Sequence, residues 1–517
     1  MAAAVLGLGA AGCSSAASDG GSAPDTTAVK TTSTTGAATT TTEAIAWPKP
    51  TFTEGECPMD LTDDVIVEVT CGTVEVPENR TDPDSKMITL AVAKLHSNAT
   101  DPKPDPVVQL EGGPGFGSLV DVGAYSKSTM LDERDYYLWD QRGTGFSTPS
   151  LDCPEVNDAV WELFRTTDED QAEAAKVEDS LRACKARLVD EGVDLSGYNT
   201  RENAADLADL RVALGIDEWN LRGVSYGSAL AMATMRDHPE GLHAVLLDSI
   251  VTPDTAFGGV ARGQSALHSF AELKKACAAQ PSCDQKYGPI DELMAKAAAR
   301  LDAEPYHGIV EDPVTGQQHE VNITGGDMYA GLFRGMYDEE LIPVLPTALK
   351  AIAGGDYGLI QQLAQANIPF VTDQVEAMTT SVDCADSLPL LDPDAVQPFL
   401  KAHPEMSTLV YQGLPETGCK EWGVPATGGD FNTLLQKDDV DVPVMVMAGR
   451  FDPITPPAGT KRVADALGVK RLYFPNAGHG GVGSSDCARG IWIAFMDDPS
   501  HYPDTSCMDD LGPPVFP

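Results

Sequence analysis

Short apolar runs at 106–110, 136–139, 219–224 and 245–250 are separated by stretches of helical periodicity. Segment 199–215 is the clearest of the helices, with Ala204, Leu207, Ala208, Leu210 and Leu214 at helical spacing. Asn199 followed by Glu202 is a box-like start signal. Residues 226–238 continue as a second helix directly after the strand 219–224. Strands alternating with helices predict a parallel α/β sheet. From 252 to 440 the strand rhythm stops, and a composition rich in Ala, Leu and charge predicts mainly helix. The rhythm returns with the fully apolar run 442–448 and the short run 472–474, and 490–496 reads as a closing helix. One sheet is thus expected in two parts, 47–251 and 441–517, interrupted by a mainly helical cap at 252–440. No internal repeat is visible.

The first residues follow another grammar. Residues 2–12 are Ala, Val, Leu and Gly, and the run stops at Cys13. A short apolar stretch ending in small residues is the pattern of an export signal, here 1–13. Ala10-Ala11-Gly12-Cys13 resembles the lipobox of bacterial lipoproteins, which implies lipidation of Cys13. Residues 14–46, dominated by Thr, Ser, Ala and Gly, cannot bury enough apolar surface to offset their chain entropy and read as a tether. As a flexible coil such a tract spans roughly 30 Å. No run of about 18 apolar residues occurs that would cross a membrane.

Composition narrows the partners. The net charge is −43, which argues against nucleic acid and against docking on anionic lipid through a basic face. Setting Cys13 aside, ten of the 11 cysteines remain: Cys57, Cys71, Cys153, Cys184, Cys277, Cys283, Cys384, Cys419, Cys487 and Cys507. An even number in an exported chain reads as disulfides. The sequence alone does not fix their connectivity, but pairing sequence neighbours is the simplest arrangement. There is no Cys-x-x-Cys and no His at ligand spacing, so no metal and no cofactor are expected.

Candidate chemistry begins at Gly223-Val224-Ser225-Tyr226-Gly227, a G-x-S-x-G at a strand-to-helix junction. In that context a sharp turn lifts the Ser hydroxyl above the sheet. A serine nucleophile needs a base, and the base needs an orienting acid. Of the nine histidines, only His479 and His501 follow the returning strand. His479 lies in Asn476-Ala477-Gly478-His479-Gly480-Gly481, directly after a strand, and is the expected base. Asp452, in the loop after 442–448, is the expected acid; Asp248, at the end of 245–250, is the rival. Thr455, three residues on, hydrogen-bonds the acid or lines the site, with capping of the next helix as the alternative. Developing negative charge on a substrate oxygen needs backbone donors. Tyr226 N–H and the Gly-rich loop at Gly112 and Gly113 are the candidates.

Three motifs together resemble the proline iminopeptidase and tripeptidyl aminopeptidase family of α/β-hydrolase peptidases. They are Gly112-Gly113-Pro114-Gly115, Asp140-Gln141-Arg142-Gly143-Thr144-Gly145 and Gly223-Val224-Ser225-Tyr226-Gly227. Residues 337–353, Val382-Asp383-Cys384-Ala385-Asp386 and Phe451-Asp452-Pro453-Ile454-Thr455-Pro456 look like the tripeptidyl aminopeptidase branch. The lipobox, tether and ten cysteines are similar to exported actinobacterial members. The resemblance implies an α/β-hydrolase fold with a helical cap. It also implies a serine peptidase that holds a free substrate amine with cap carboxylates. Glu339, Glu340 and Glu111 are the candidates for that task, with a solvated helix face as the alternative. Simpler iminopeptidases carry His before the Gly-Gly-Pro-Gly, where this chain has Glu111.

The expected function is therefore a cell-envelope serine peptidase acting on peptides or proteins. The expected product is a short peptide released from a substrate N-terminus, or the outcome of limited internal cleavage. A carboxylesterase or lipase with the same triad is the alternative, and a tethered binding module with an inactive triad is a third reading. The expected membrane contact is only the N-terminal lipid. Oligomeric state is not fixed, with a monomer as the expectation.

Overall fold

The computed structural model describes residues 45–166, 171–312, 315–367, 374–411, 418–481 and 485–517. The signal-like segment, Cys13 and nearly all of the tether lie outside the described residues. Residues 45–517 form one unit, and it is described here.

Among the described residues, nine strands make one sheet in the order β1-β2-β3-β5-β4-β6-β7-β10-β11. These are β1 (Phe52–Gly55), β2 (Val69–Pro77), β3 (Met87–Leu95), β4 (Val107–Leu110), β5 (Tyr136–Trp139), β6 (Trp219–Val224), β7 (Leu242–Asp248), β10 (Val444–Gly449) and β11 (Arg471–Phe474). From β5 to β11 every pairing is parallel. Parallel strands are covered on both faces, so their sequences are continuously apolar rather than alternating. Along β7, Val245 and Leu247 enter one core cluster, while Ala244 and Leu246 enter the other. Helices Thr200–Leu214 and Tyr226–Asp237 cover the first face, and Asp486–Asp497 covers the second.

The helix at 199–215 forms as its sequence predicts. Asn199 caps it by accepting from Glu202 N–H, and Gly215 closes it in the left-handed conformation (φ 67°). The Glu202 carboxylate is not part of the cap. It binds Arg80, with Nη1 to Oε2 at 2.7 Å.

Three features depart from the sequence reading. The sheet opens with β1–β3, which pair antiparallel, before the parallel rhythm begins. Residues 154–190, expected within the first half of the core, form helices Pro154–Phe164 and Gln171–Asp190 that pack with the cap. The cap also contains a hairpin, β8 (Tyr306–Glu311) with β9 (Gln318–Ile323). Trp161 stacks on His319 of that hairpin with ring centroids 3.8 Å apart.

The rest of the cap is helical, as expected. Helices Gly259–Ala278, Ile290–Ala303, Gly325–Gly335 and Leu345–Ala353 share one apolar cluster. Phe451 and Ile454, from the loop after β10, are buried in the same cluster. So is Phe516, whose segment returns from the Cys487–Cys507 disulfide. The Pro517 carbonyl accepts from Tyr287 Oη at 2.9 Å and Lys286 Nζ at 3.0 Å. The other disulfides are Cys57–Cys71, Cys153–Cys184, Cys277–Cys283 and Cys384–Cys419, all sequence-neighbour pairs.

Candidate active site

Ser225 sits between β6 and the helix Tyr226–Asp237, with φ 57° and ψ −126°. Side chains rarely adopt this backbone region, and a residue held in it costs of order 1–3 kcal/mol. The flanking glycines explain how the turn is packed. A Cβ on Gly227 would lie 2.0 Å from the Leu110 carbonyl, and one on Gly223 would lie 2.5 Å from the Gly227 carbonyl. The bend is held from β7, where the Asp248 carbonyl accepts from Ser225 N–H at 3.1 Å.

Asp452 and His479 meet across the ends of β10 and β11. The separation of 27 positions holds the helix Pro457–Leu467 and β11, as the spacing predicts. His479 Nδ1 lies 3.0 Å from Asp452 Oδ2. The Asp452 carboxylate is fully buried and accepts from Ile454 N–H (3.1 Å), Thr455 N–H (2.8 Å) and Thr455 Oγ1 (2.6 Å). Thr455 is therefore a support for the acid. Its hydroxyl also lies 3.2 Å from His479 Nδ1. The rival acid, Asp248, accepts instead from Gly481 N–H at 3.1 Å.

The cap covers the imidazole. The Tyr337 ring is 4.8 Å from the His479 ring, and the Tyr337 carbonyl accepts from His479 N–H at 2.9 Å. The base loop and the elbow also touch: a Cβ on Gly480 would lie 3.5 Å from Val224 Cγ1, next to Ser225.

The Gly-rich loop packs on Ser225. A Cβ on Gly112 would lie 3.1 Å from Ser225 Cβ and 3.6 Å from Ser225 Oγ. Beyond the loop, the buried Asp140 carboxylate gathers the N–H groups of Ser118 (2.7 Å), Leu119 (3.0 Å) and Phe146 (2.7 Å). Arg142, fully buried, binds both Asp206 oxygens, Nε to Oδ2 at 2.7 Å and Nη2 to Oδ1 at 2.6 Å. The Asp140–Gly145 motif thus braces the end of the loop and the helix Thr200–Leu214.

The candidate amine-binding acids divide. Glu111 is tied down, accepting from Tyr125 Oη at 3.0 Å and Gln109 Nε2 at 3.3 Å. Glu340 is exposed, its own N–H donating to Asp338. Glu339 is half-buried with Arg489 as its basic neighbour, and burial pushes its carboxyl up.

Two further cap acids, not among the amine-binding candidates of the sequence, flank the point where a cap helix rests on the loop. Helix Glu376–Val382 lays Thr379 on the Pro114 carbonyl, Oγ1 to O 2.8 Å. Glu376 and Asp383 lie one turn before and one turn after Thr379, on the same face. Both are half-buried. Burial pushes the Glu376 carboxyl up. Burial, with Glu376 and Asp386 nearby, pushes Asp383 up to about 7. Arg262 faces Asp383, and burial with Arg334 nearby brings its guanidinium down to about 10.

The Val382–Asp386 motif thereby separates into three tasks. Asp383 joins this charged group, and Cys384 bonds to Cys419. Asp386 accepts from Thr200 N–H (3.1 Å), Thr200 Oγ1 (2.6 Å) and Thr427 Oγ1 (2.6 Å). A largely apolar cavity beside Tyr226 and Pro114 has Met232, Phe257, Phe431 and Asp383 among its walls. The sequence signal for Glu376 and Asp383 is their heptad spacing around Thr379. It carries meaning only once that helix is known to rest on the Gly-rich loop.

Comparison with known proteins agrees with this architecture. The α/β hydrolase fold model matches residues 105–272, and the TAP-like protein model matches residues 406–507. Serine protease Hip1 of Mycobacterium tuberculosis is 25% identical over 444 residues, covering 79% of this chain and 81% of that protein. Carboxylesterase B of the same organism is 26% identical over 446 residues, covering 80% and 81%. Tripeptidyl aminopeptidase of Streptomyces coelicolor is 28% identical over 197 residues, covering 36% of each chain. The nine-stranded sheet, the elbow at its centre and these matches agree: the chain has the α/β-hydrolase fold, and residues 406–507 are similar to the TAP-like protein family.

Proposed function

We propose that the protein is an exported serine peptidase that removes short peptides from the free N-termini of its substrates. The observation that carries this reading is the Asp452–His479 pair, whose loop touches the Ser225 elbow, with the Gly-rich loop packed on Ser225 and an acidic cap helix resting on that loop. Ser225 Oγ attacks the carbonyl carbon of the scissile bond, and its proton passes to His479 Nε2. A proton on Nδ1, shared with Asp452, keeps the Nε2 lone pair available and stabilises the imidazolium that forms. The N–H groups of Tyr226 and of Gly112 or Gly113 receive the oxyanion. As the C–N bond breaks, His479 returns the proton to the leaving amine. Water, activated by the same imidazole, then clears the acyl-enzyme.

The peptidase reading is supported by similarity to Hip1 and to the tripeptidyl aminopeptidase. Export is supported by five disulfides, which persist in oxidising compartments. In this reading Cys13 carries lipid and residues 14–46 hold the body clear of the membrane. Esterase action is a second reading, favoured by the equally long match to carboxylesterase B. A peptide library with free and blocked N-termini, run beside a panel of short-chain esters, separates the two. Cuts a few residues from free N-termini are expected. Ester turnover with no peptide cleavage overturns the peptidase reading.

Within this reading, Glu376 and Asp383 bind the substrate amine, replacing Glu339 and Glu340 in that task. Glu376→Gln is expected to raise KM for free-N-terminus peptides by roughly tenfold to a hundredfold, the worth of a charge-assisted hydrogen bond. Ester turnover is expected to hold. The pH dependence has a definite sign. Asp383 binds an ammonium when ionised, so KM for such peptides is expected to fall as pH rises through about 7. Stability moves the other way. A carboxyl whose folded value is raised weakens the fold as pH climbs from its ordinary 3.8 to about 7. Asp383→Asn is therefore expected to raise Tm at pH 8 and to leave it unchanged near pH 4. An unchanged KM profile in the variant removes Asp383 from the site.

A further inference from the structure

The cap does more than cover the site: it is bonded to the middle of the Gly-rich loop. Thr379 Oγ1 and Gln374 Nε2 each lie 2.8 Å from the Pro114 carbonyl oxygen. Val375 N–H donates to the Gly115 carbonyl at 3.0 Å. Gly115 has φ +103°, and a Cβ there would meet Thr379 Oγ1 at 2.5 Å and the Val375 carbonyl at 2.9 Å. The loop and the cap segment are in close contact, with no space for a side chain between them.

We infer that Thr379, assisted by Gln374, is a positioning residue for acyl transfer. It acts through the Pro114 carbonyl to hold the loop N–H groups where they meet the oxyanion. The inference rests on the reading of Ser225 and of the loop given above.

The physical case is one of backbone freedom. Gly112, Gly113 and Gly115 stand in four consecutive residues, and glycine carries the largest conformational entropy of any residue. The core holds the loop from either side. On one side β4 leads into Gly112, which packs on Ser225. On the other side Asp140 collects Ser118 and Leu119 N–H. The intervening peptide planes at Pro114 and Gly115 are fixed by the cap donors. Preorganised donors stabilise a transition state only if they need not reorganise as charge develops. The rival role for Thr379 is ordinary back-bonding within its helix, since its hydroxyl also lies 3.0 Å from the Val375 carbonyl. The Pro114 contact is the shorter of the two.

Thr379→Val keeps the side-chain shape and removes the donor. Losing an oxyanion donor outright costs ~10²–10³ in kcat, so loosening the loop that carries it is expected to cost about tenfold. KM should stay within about twofold, because binding of the remainder of the substrate is untouched. The drop should be alike for peptides and for small esters, since both form an oxyanion. The rate of fluorophosphonate labelling should fall in parallel. Thr379→Ser should restore kcat, and Gln374→Ala added to Thr379→Val should lower it again. An unchanged kcat in Thr379→Val overturns the inference. So does a rise in KM at constant kcat, or a Ser variant as slow as the Val variant. Turnover retained by Ser225→Ala is a separate result: it removes the nucleophile assignment, and this inference with it.

Discussion

Ser225→Ala is expected to lower kcat by about 10⁵- to 10⁶-fold, the scale seen when a serine nucleophile is deleted from a complete triad. Fluorophosphonate labelling should vanish with it. The fold should not change, because Ala at φ 57° meets the same backbone strain as Ser. A companion variant makes that strain visible. Ser225→Gly should be equally inactive yet more stable, by about 1 kcal/mol, since glycine accepts positive φ but pays more chain entropy on folding. A rise in Tm accompanied by loss of labelling would mark Ser225 as a residue held under strain for its chemistry. Measured turnover in Ser225→Ala within about tenfold of wild type would end the triad reading.

Asp452→Asn should cost about 10⁴ in kcat, as expected when the orienting acid becomes an amide. The hydrogen bonds say why. One carboxylate oxygen accepts from Ile454 and Thr455 N–H, and the other from Thr455 Oγ1 and His479 Nδ1. An amide can keep only one accepting oxygen. If that oxygen stays with the backbone donors, the NH2 group faces His479 Nδ1. The imidazole must then accept there and carry its proton on Nε2, where a base is needed. Asp248→Asn should lose no more than about tenfold, since Asp248 supports the loop through Gly481 N–H. The reverse ranking of these two variants would exchange their roles.

Much of this was legible in the sequence because it rested on local rules. The Asn199 cap and Gly215 stop bound a helix on backbone chemistry alone. The elbow glycines mark close approach, and a separation of 27 positions leaves room for one helix and one strand between Asp452 and His479. What was not legible depended on distant partners. The β8–β9 hairpin buries few side chains, chiefly Val310 and Val321 beside Trp161, so its alternation is weak within a helical stretch. Helices 154–190 join the cap through apolar contacts with residues some 200 positions further on, such as Val375 and Trp422. Glu339 and Glu340 stood out as adjacent acids, but they lie in a turn after the helix Gly325–Gly335, one half-buried near Arg489 and the other exposed. Glu376 and Asp383 share a face, yet nothing local says what that face meets.

The end of the chain bears on how a substrate gets in. Phe516 is seated in the cap interior, and the backbone leading to it is anchored on the sheet side by Cys487–Cys507. The cap is therefore fastened to the sheet side through this segment as well as through its chain connections to the core. A roof fastened in this way does not swing open as one piece. On the proposed peptidase reading, a cap held in this way favours the loose end of a polypeptide over the closed loops of a folded one.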